Sequence, residues 1–436
     1  MRSDDTIFAT ASGFGRAAIC VVRISGDRSR FILETIAGGT PQPRHLSLRL
    51  LRDPATGEPL DQALVAWMPG PHSFTGEDQI ELHIHGGLAT RSAILRVLGS
   101  LDGCRAAEAG EFTRRAFLNG RMDLTRVEGL ADLIDAETEA QRRQALFQLE
   151  GRLGNAAEAW REEVLQTLAL LEAALDFADE GDVPETLEAD AANRLRALHR
   201  QIGLSLTQPS GERLREGLIV VLAGAPNAGK STLLNALAQR DVAIVSPIAG
   251  TTRDVIEVKC DLGGLPVLIV DTAGLRESGD VIEQEGVARA LARAGEADIV
   301  LWLVPPEGAP LAPPPGRRIV RVGTKGDLNR NRDDCDLLIS AATGEGMAEL
   351  LALLRQEAEA SLGQGDAVIT RERHRRALER AYQALARALG LLDRGEASEL
   401  ATEDVRLAAH ALGEITGRID VEDVLDRLFS NFCIGK

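Results

Sequence analysis

The stretch from Leu218 to Ser231, LIVVLAGAPNAGKS, constrains this chain more than any other. Its apolar run, Leu218 to Leu222, predicts a strand buried on both faces, and Thr232 to Ala238 continues as helix. Between them Gly224 and Gly229 let the backbone curl until successive N–H groups converge on an anion. Lys230 is placed to reach β and γ phosphates, and the Ser231 hydroxyl suits magnesium. The helix N-terminus adds a favourable dipole for negative charge. A ligand-free glycine turn would share the composition, but the spacing of Gly224, Gly229, Lys230 and Ser231 between strand and helix reads as a phosphate-binding loop.

Three further motifs narrow the ligand. In Pro266 to Leu275 an apolar run delivers Asp271 to a strand end, where it can hold a magnesium shell, and Gly274 offers an N–H to a γ-phosphate. In TKGD, Thr324 to Asp327, the carboxylate can accept from both N1–H and the exocyclic amine of guanine, a donor pair that adenine lacks. The common form of this motif begins with Asn, so Thr324 is a departure that weakens support for the base. The Lys325 stem can pack on the base, and Ser340 and Ala341 of SAATGEG fall where a last base-contacting loop belongs. The residue after DTAG is Leu275, which has no atom able to orient water as a glutamine there would. A cation held by the Asn227 carbonyl, potassium for example, can supply the charge an arginine finger gives elsewhere; Glu283 and Glu285 are both within reach by spacing.

The rest of the chain is read around this core. With 436 residues and 44% hydrophobic content it is long enough for two to four domains. Residues 1 to about 118 mix strand and short helix, with dense Gly and Pro in TGEPLD and MPGPHSFTGED. From about Asp123 to Leu206 apolar residues recur at helical spacing, and TQPSGERLREG reads as a linker. Residues 217 to about 363 alternate strand and helix, as in a parallel sheet covered on both faces, and the chain is helical again from Thr370. The expected fold is multidomain, α/β and all-α: an N-terminal α+β domain (1–118), a discontinuous helical domain (119–210 and 368–436) and an inserted P-loop GTPase domain of Ras-like type (217–363). A net charge of −17 argues against a chain that embraces nucleic acid by itself, so any RNA contact is local or shared. Five cysteines without paired short spacings signal neither zinc nor disulfides and fit a reducing cytoplasm. No export signal or membrane-length apolar run is read, so a soluble cytoplasmic protein is expected.

The set GAPNAGKS, GTTRD, DTAGLRE, PHSFTGEDQIELHIHGG and a closing FCIGK resembles the tRNA-modification GTPase family called MnmE or TrmE, in order and over essentially the whole chain. The resemblance implies a homodimer docked through a tetrahydrofolate-binding N-terminal domain, with GTPase domains that meet when GTP and potassium bind. It implies an FAD-dependent partner, MnmG, in a heterotetramer or larger complex that contacts tRNA. The reaction implied is aminomethyl or carboxymethylaminomethyl transfer to carbon 5 of the wobble uridine. Carried over by motif, Asn227, Ser246, Ile248 and Thr251 form a potassium shell, and Ser231 and Thr252 are magnesium ligands. Glu283 in VIEQEG becomes the water-orienting glutamate, in preference to Glu285. GTP is then contacted by Asn227, Ala228, Gly229, Lys230, Ser231 and Thr232, and by Ser246, Thr251 and Thr252. Asp271, Thr272, Ala273 and Gly274 follow, with Thr324, Lys325, Asp327, Ser340, Ala341 and Ala342 around the base.

For the folate derivative, in 5-formyl or methylene form, the resemblance implies Arg23, Glu81, Arg121 and Lys436. The chemistry is sensible, since a pterin offers donors to Glu81 and a glutamyl tail offers carboxylates to Arg or Lys. From the residues alone Arg23 and Glu81 would read as a solvated strand pair. His83 and His85 alternate on one strand without a third metal ligand, which reads as a packed strand end. Cys433 is either a thiol beside the cofactor or a buried apolar residue. The competing class is a GTP-gated switch in ribosome assembly without modifying chemistry; it leaves the N-terminal region and the CIGK tail without a purpose.

Overall fold

The computed structural model describes residues 5–13, 15–176, 186–208, 211–225, 227–240, 242–244, 257–271, 297–306, 318–328, 334–363, 365–394, 398–419, 424–425, 428–429, 432 and 435. The chain divides into two compact units, Met1–Ala131 with Leu412–Lys436, and Asp132–Ala411. Among the described residues no helix is long and apolar enough to cross a membrane.

The first unit is built on β1 (Thr6–Thr10), β2 (Ile19–Ser25), β3 (Ser47–Arg52), β4 (Pro59–Met68), β5 (Gln79–His85) and β6 (Cys104–Ala106). They lie in the order β3-β4-β5-β2-β1-β6, antiparallel except for the parallel β1/β6 pair. Alternation in ICVVRIS and QIELHIH sorts the two faces. Val22, Ile24, Ile80, Leu82 and Ile84 pack against Ile32 and Leu33 of helix Ser29–Ala37 and Ile94 and Leu98 of helix Leu88–Ser100. The opposite face carries Arg23, Glu81 and His83 beside a smaller apolar cluster of Ile7, Ala9, Phe112 and Phe74. The end of the chain belongs to this unit: Phe429 and Phe432 are buried, and a Cβ on buried Gly435, at φ 102°, would stand 2.1 Å from the Thr10 carbonyl oxygen.

In the second unit β7 (Leu218–Gly224), β8 (Glu257–Asp261), β9 (Pro266–Asp271), β10 (Ile299–Val304), β11 (Arg318–Gly323) and β12 (Leu337–Leu338) are ordered β12-β11-β10-β7-β9-β8. All neighbours are parallel except β8/β9. Val220 and Leu222 join Leu233 and Leu237 of helix Lys230–Ala238 and Leu350 and Leu354 of helix Met347–Leu362. Val221 and Ala223 join Val270 and Val300 on the other face. A strand buried on both sides explains why the run before the phosphate loop is continuously apolar. Helices Arg152–Asp176, Thr186–Thr207 and Glu372–Arg394 pack together in the same unit, with Trp160 Nε1 donating to Gln201 Oε1 at 3.2 Å.

Two expectations change. The apolar periodicity from Asp123 to Leu206 resolves into separate helices, Leu124–Asp135, Glu139–Leu149, Arg152–Asp176 and Thr186–Thr207. One break is a capping box, in which Thr138 accepts from the Gln141 N–H and the Gln141 side chain accepts from the Thr138 N–H. The segment TQPSGERLREG is not a free linker, because Glu212–Glu216 is a short helix whose Leu214 is fully buried in the core beneath β7. The Gly211 N–H donates to the Ile369 carbonyl at 2.8 Å, and the Gly211 carbonyl accepts from Gln144 Nε2 at 2.9 Å. Leu214, the apolar residue inside ERLRE, was the available sign. Much of VEDVLDRLF lies outside the described residues.

A charged network lies buried in the first unit. Glu111 accepts from Arg105 at 2.6 and 2.8 Å and from Arg115 at 3.1 Å, while Arg115 also donates to both oxygens of Glu77 at 3.1 Å. Burial alone would raise the Glu111 carboxyl, but the Arg105 bonds, the Glu108 N–H and Arg115 outweigh it and hold it below its ordinary value. A depressed carboxyl contributes stability that is present above its unfolded value and lost as pH falls. We therefore expect Glu111→Gln to destabilise this unit by about 3 kcal/mol at neutral pH. Wild type should lose the same contribution below about pH 4.5. Urea unfolding followed by the buried Trp67, with Trp160 and Trp302 changed to Phe, measures both.

Candidate nucleotide site and N-terminal pocket

Parallel pairing brings the ends of β7, β9, β10 and β11 to one edge of the sheet, where open α/β sheets bind ligands. Gly224 ends β7 at φ 144°, and a Cβ there would be 2.5 Å from the Leu303 carbonyl oxygen, so only glycine lets the loop leave beside β10. Asn227 follows in the left-handed region at φ 61°, and Gly229 at φ 92° leads into helix Lys230–Ala238. Lys230, 8% exposed, donates its Nζ to the carbonyls of Gly224 at 2.8 Å and Ala225 at 3.0 Å. The ammonium is thus held over the cradle that its sequence position implies.

The Ser231 hydroxyl donates to Asp271 Oδ2 at 3.1 Å, joining the loop to the end of β9. Among the described residues no group of three His, Cys, Asp or Glu side chains is placed to hold a metal. One hydroxyl and one carboxylate leave room for phosphate oxygens and water, the donor set magnesium prefers at such sites. The pair therefore fits magnesium carried with a nucleotide.

The base side of the site is tied to the phosphate side by Thr324. Its Oγ1 donates to the Ala228 carbonyl at 2.8 Å, and its N–H donates to the Val304 carbonyl at 3.0 Å. Threonine thus supplies the link to the phosphate loop, so the departure from Asn keeps the two halves of the site joined. Lys325 at φ 55° turns the chain, the Gly326 N–H donates to Ile339 at 2.9 Å, and Asp327 is exposed. The Ser340 loop closes on itself, since the Ser340 N–H donates to Glu345 at 2.9 Å and Ser340 Oγ accepts from the Thr343 N–H at 3.3 Å. Ala341 is half-buried, and Ala342 is exposed. Ser246, Ile248, Thr251, Thr252, Thr272, Ala273, Gly274, Leu275, Glu283 and Glu285 lie outside the described residues.

In the first unit Arg23 and Glu81 face each other in register across β2 and β5. Arg23 donates to Glu81 Oε1 from Nη2 at 3.0 Å and from Nε at 3.2 Å, and both side chains are about one-fifth exposed. The guanidinium lies 5.2 Å from the Phe74 ring centroid and 5.8 Å from that of Phe112. The pair is therefore walled by aromatics and not simply solvated. His83 Nε2 is 3.6 Å from Glu81 Oε2, and exposed His85 pairs with Asp61 at 2.7 Å. The loop before β5 is pinned on both sides. Ser25 Oγ lies 2.6 Å from Thr75 Oγ1 and donates to Glu77 at 2.8 Å. Asn119 Nδ2 donates to the Thr75 carbonyl at 2.8 Å, and Arg121 lies beside Gly76. Phe74 against Arg23 goes beyond the sequence reading, for which the aromatic in PHSFTGED was the signal, as does the Glu77–Arg115 ion pair that holds its loop. Lys436 and Cys433 lie outside the described residues.

Comparison with known proteins places the whole chain in one family. The profile described as "GTP-binding protein TrmE N-terminus" matches residues 6–121, and "MnmE helical domain" matches residues 124–433. The tRNA modification GTPase MnmE of Methylobacterium sp. (strain 4-46) is 62% identical over 439 residues, covering 99% of this chain and 100% of the relative. Its counterpart in Methylorubrum populi is 60% identical, covering 99% of this chain and 98% of the relative. That of Methylobacterium radiotolerans is 58% identical over the full length of both. A phosphate loop tied to a guanine-type motif, joined in one chain to an N-terminal unit of this type, thus has its place: the chain belongs to the MnmE family of tRNA modification GTPases.

Proposed function

We propose that this chain is a potassium-activated GTPase that works with the FAD-dependent MnmG on the tRNA wobble uridine. Together they install an aminomethyl or carboxymethylaminomethyl group at carbon 5. The observation that carries the reading is the presence of two chemically distinct sites in one chain: the Lys230 cradle with Ser231 and Asp271, and the Arg23–Glu81 pair between Phe74 and Phe112. A GTP switch for ribosome assembly has no use for the second.

In this reading residues 1–118 hold a tetrahydrofolate derivative, in 5-formyl or methylene form, through Arg23, Glu81, Arg121 and Lys436. The derivative supplies the one-carbon unit. Glu81 accepts from the pterin, and the cations pair with the carboxylate tail. Residues 119–210 and 368–436 form one helical domain interrupted by the GTPase domain, 217–363. Ser231 and Thr252 hold magnesium; Asn227, Ser246, Ile248 and Thr251 hold potassium, which supplies positive charge beside the phosphates. Thr272, Ala273 and Gly274 lie along the phosphates, Asp327 selects guanine and Glu283 orients the attacking water. The protein is a cytoplasmic homodimer. Leu46, Leu48, Leu50 and Leu64, each at least 40% exposed on or beside the paired β3 and β4, form an apolar patch of the kind a second copy covers.

Three outcomes are expected. Mass spectrometry of tRNA from cells lacking this chain should find the wobble uridine unmodified at carbon 5; intact modification would sink the proposal. Glu283→Ala, and replacement of potassium by sodium, should each slow GTP hydrolysis by about a hundredfold or more while nucleotide still binds. Loss of binding in the variant would make Glu283 structural, and equal rates in the two salts would remove Asn227 from a cation shell. Thr324→Val, which deletes the bond to Ala228 at nearly constant volume, should weaken GTP binding about fivefold, measured by calorimetry.

A further inference from the structure

A cavity of about 500 Å³ opens in the second unit between helices Thr186–Thr207 and Glu372–Arg394, lined by none of the nucleotide-motif residues. Arg196, His199, Arg200, Gly203 and Leu204 recur at three- and four-residue spacing and so line it from one helix face; Tyr382 lines it from the other helix. His199 and Tyr382 are stacked, ring centroids 3.9 Å apart and planes inclined by 16°. The stack depends on a glycine, because a Cβ on Gly203 would sit 3.0 Å from Tyr382 Cε2.

The polar groups of this cavity are unequally committed. Arg196 is paired with Asp393. Arg200 is exposed, and among the described residues it has no ion-pair or hydrogen-bond partner. His199 Nε2 is fully shielded and likewise has no hydrogen-bond partner. Burial holds the imidazole below its ordinary value, so at neutral pH it is uncharged and presents one donor and one acceptor. The Nε2 nitrogen is shielded from a ligand, so the cavity presents the outer surface of the stack rather than a hydrogen-bonding edge. Leu204, 63% exposed, adds an apolar rim. A free guanidinium, an aromatic stack and an apolar edge within one cavity are what an unpaired nucleotide requires.

We propose that this cavity is an RNA subsite that receives one unpaired nucleotide of the tRNA, its phosphate on Arg200 and its base against the partly exposed His199–Tyr382 stack and the Leu204 rim. The inference rests on the tRNA-modifying role. It also fits the charge of the chain: at a net −17, contact with RNA must be made by local cations, and Arg200 is one that no carboxylate in the described residues has claimed.

The test is titration of the intact chain with a fluorescent tRNA transcript across salt concentrations, for wild type, Arg200→Gln, Arg200→Lys and His199→Ala. Arg200→Gln should weaken binding by roughly three- to tenfold and lower the slope of log K against log salt by about 0.7 to 0.9. Arg200→Lys should keep most of the affinity, because the positive charge is retained. His199→Ala should cost about fivefold with the slope unchanged. GTP hydrolysis should be unaltered in all three, which also reports folding. Wild-type affinity and slope in both Arg200→Gln and His199→Ala would overturn the subsite while leaving the tRNA-modifying role intact. Failure of wild type to bind the transcript would overturn both. Reduced binding of uridine monophosphate with unchanged tRNA affinity would mark a small-nucleotide site and overturn the assignment to RNA.

Discussion

The arrangement of the nucleotide site depends on parallel pairing of β9, β7, β10 and β11. Because these strands run in one direction, the loops after them emerge at one edge, and residues 96 positions apart in sequence meet there. The Ser231–Asp271 bond crosses from β7 to β9, and the Thr324–Ala228 bond reaches from the end of β11 back to the phosphate loop. The sheet must be dry on both faces to hold that edge. Leu222 and Val221 point to opposite cores, so the apolar run before Gly224 is a requirement of the site as much as of the fold.

The first unit solves a different problem, which is to keep ionised groups against an otherwise apolar sheet. Its β2 and β5 have one face in the core and one face carrying Arg23, Glu81 and His83. Arg23 is accommodated there by its pairing with Glu81 and by the polarisable faces of Phe74 and Phe112. Behind it Glu77, Arg115, Glu111 and Arg105 form a continuous set of ion pairs that anchors the loop carrying Phe74. Removing one member leaves its neighbour charged and unmatched, so the network resists piecemeal change.

The legible parts of the sequence were those where a local pattern and a chemical demand coincide. Glycine spacing with Lys230 and Ser231 located the phosphate loop, and alternation in ICVVRIS and QIELHIH located β2 and β5. Arg23 and Glu81 were named through family resemblance, while their direct pairing and aromatic walls depend on strand register, which no local pattern encodes. The short helix Glu212–Glu216 has the composition of a linker, because charged residues surround its single buried residue, Leu214. The tie from Thr324 was invisible for a related reason: a threonine hydroxyl can meet many acceptors, and the Ala228 carbonyl becomes one only after β7 and β11 are placed in the same sheet.

The balance of charge gives these details a common cause. A chain with 66 acidic and 49 basic residues pairs many of its cations with carboxylates, as in Arg196 with Asp393, Arg387 with Asp404, and Arg406 with Glu172 and Glu403. Exposed pairs of this kind add little stability. Their effect is instead on recognition, since a cation already matched has less to gain from a phosphate. Anion binding in such a protein must be concentrated where geometry keeps carboxylates away or turns the backbone itself into the donor. The phosphate loop does the second through its N–H groups and buried Lys230. The cavity at Arg200 does the first, placing an unmatched guanidinium beside an aromatic stack where a polyanion has both charge and surface to meet.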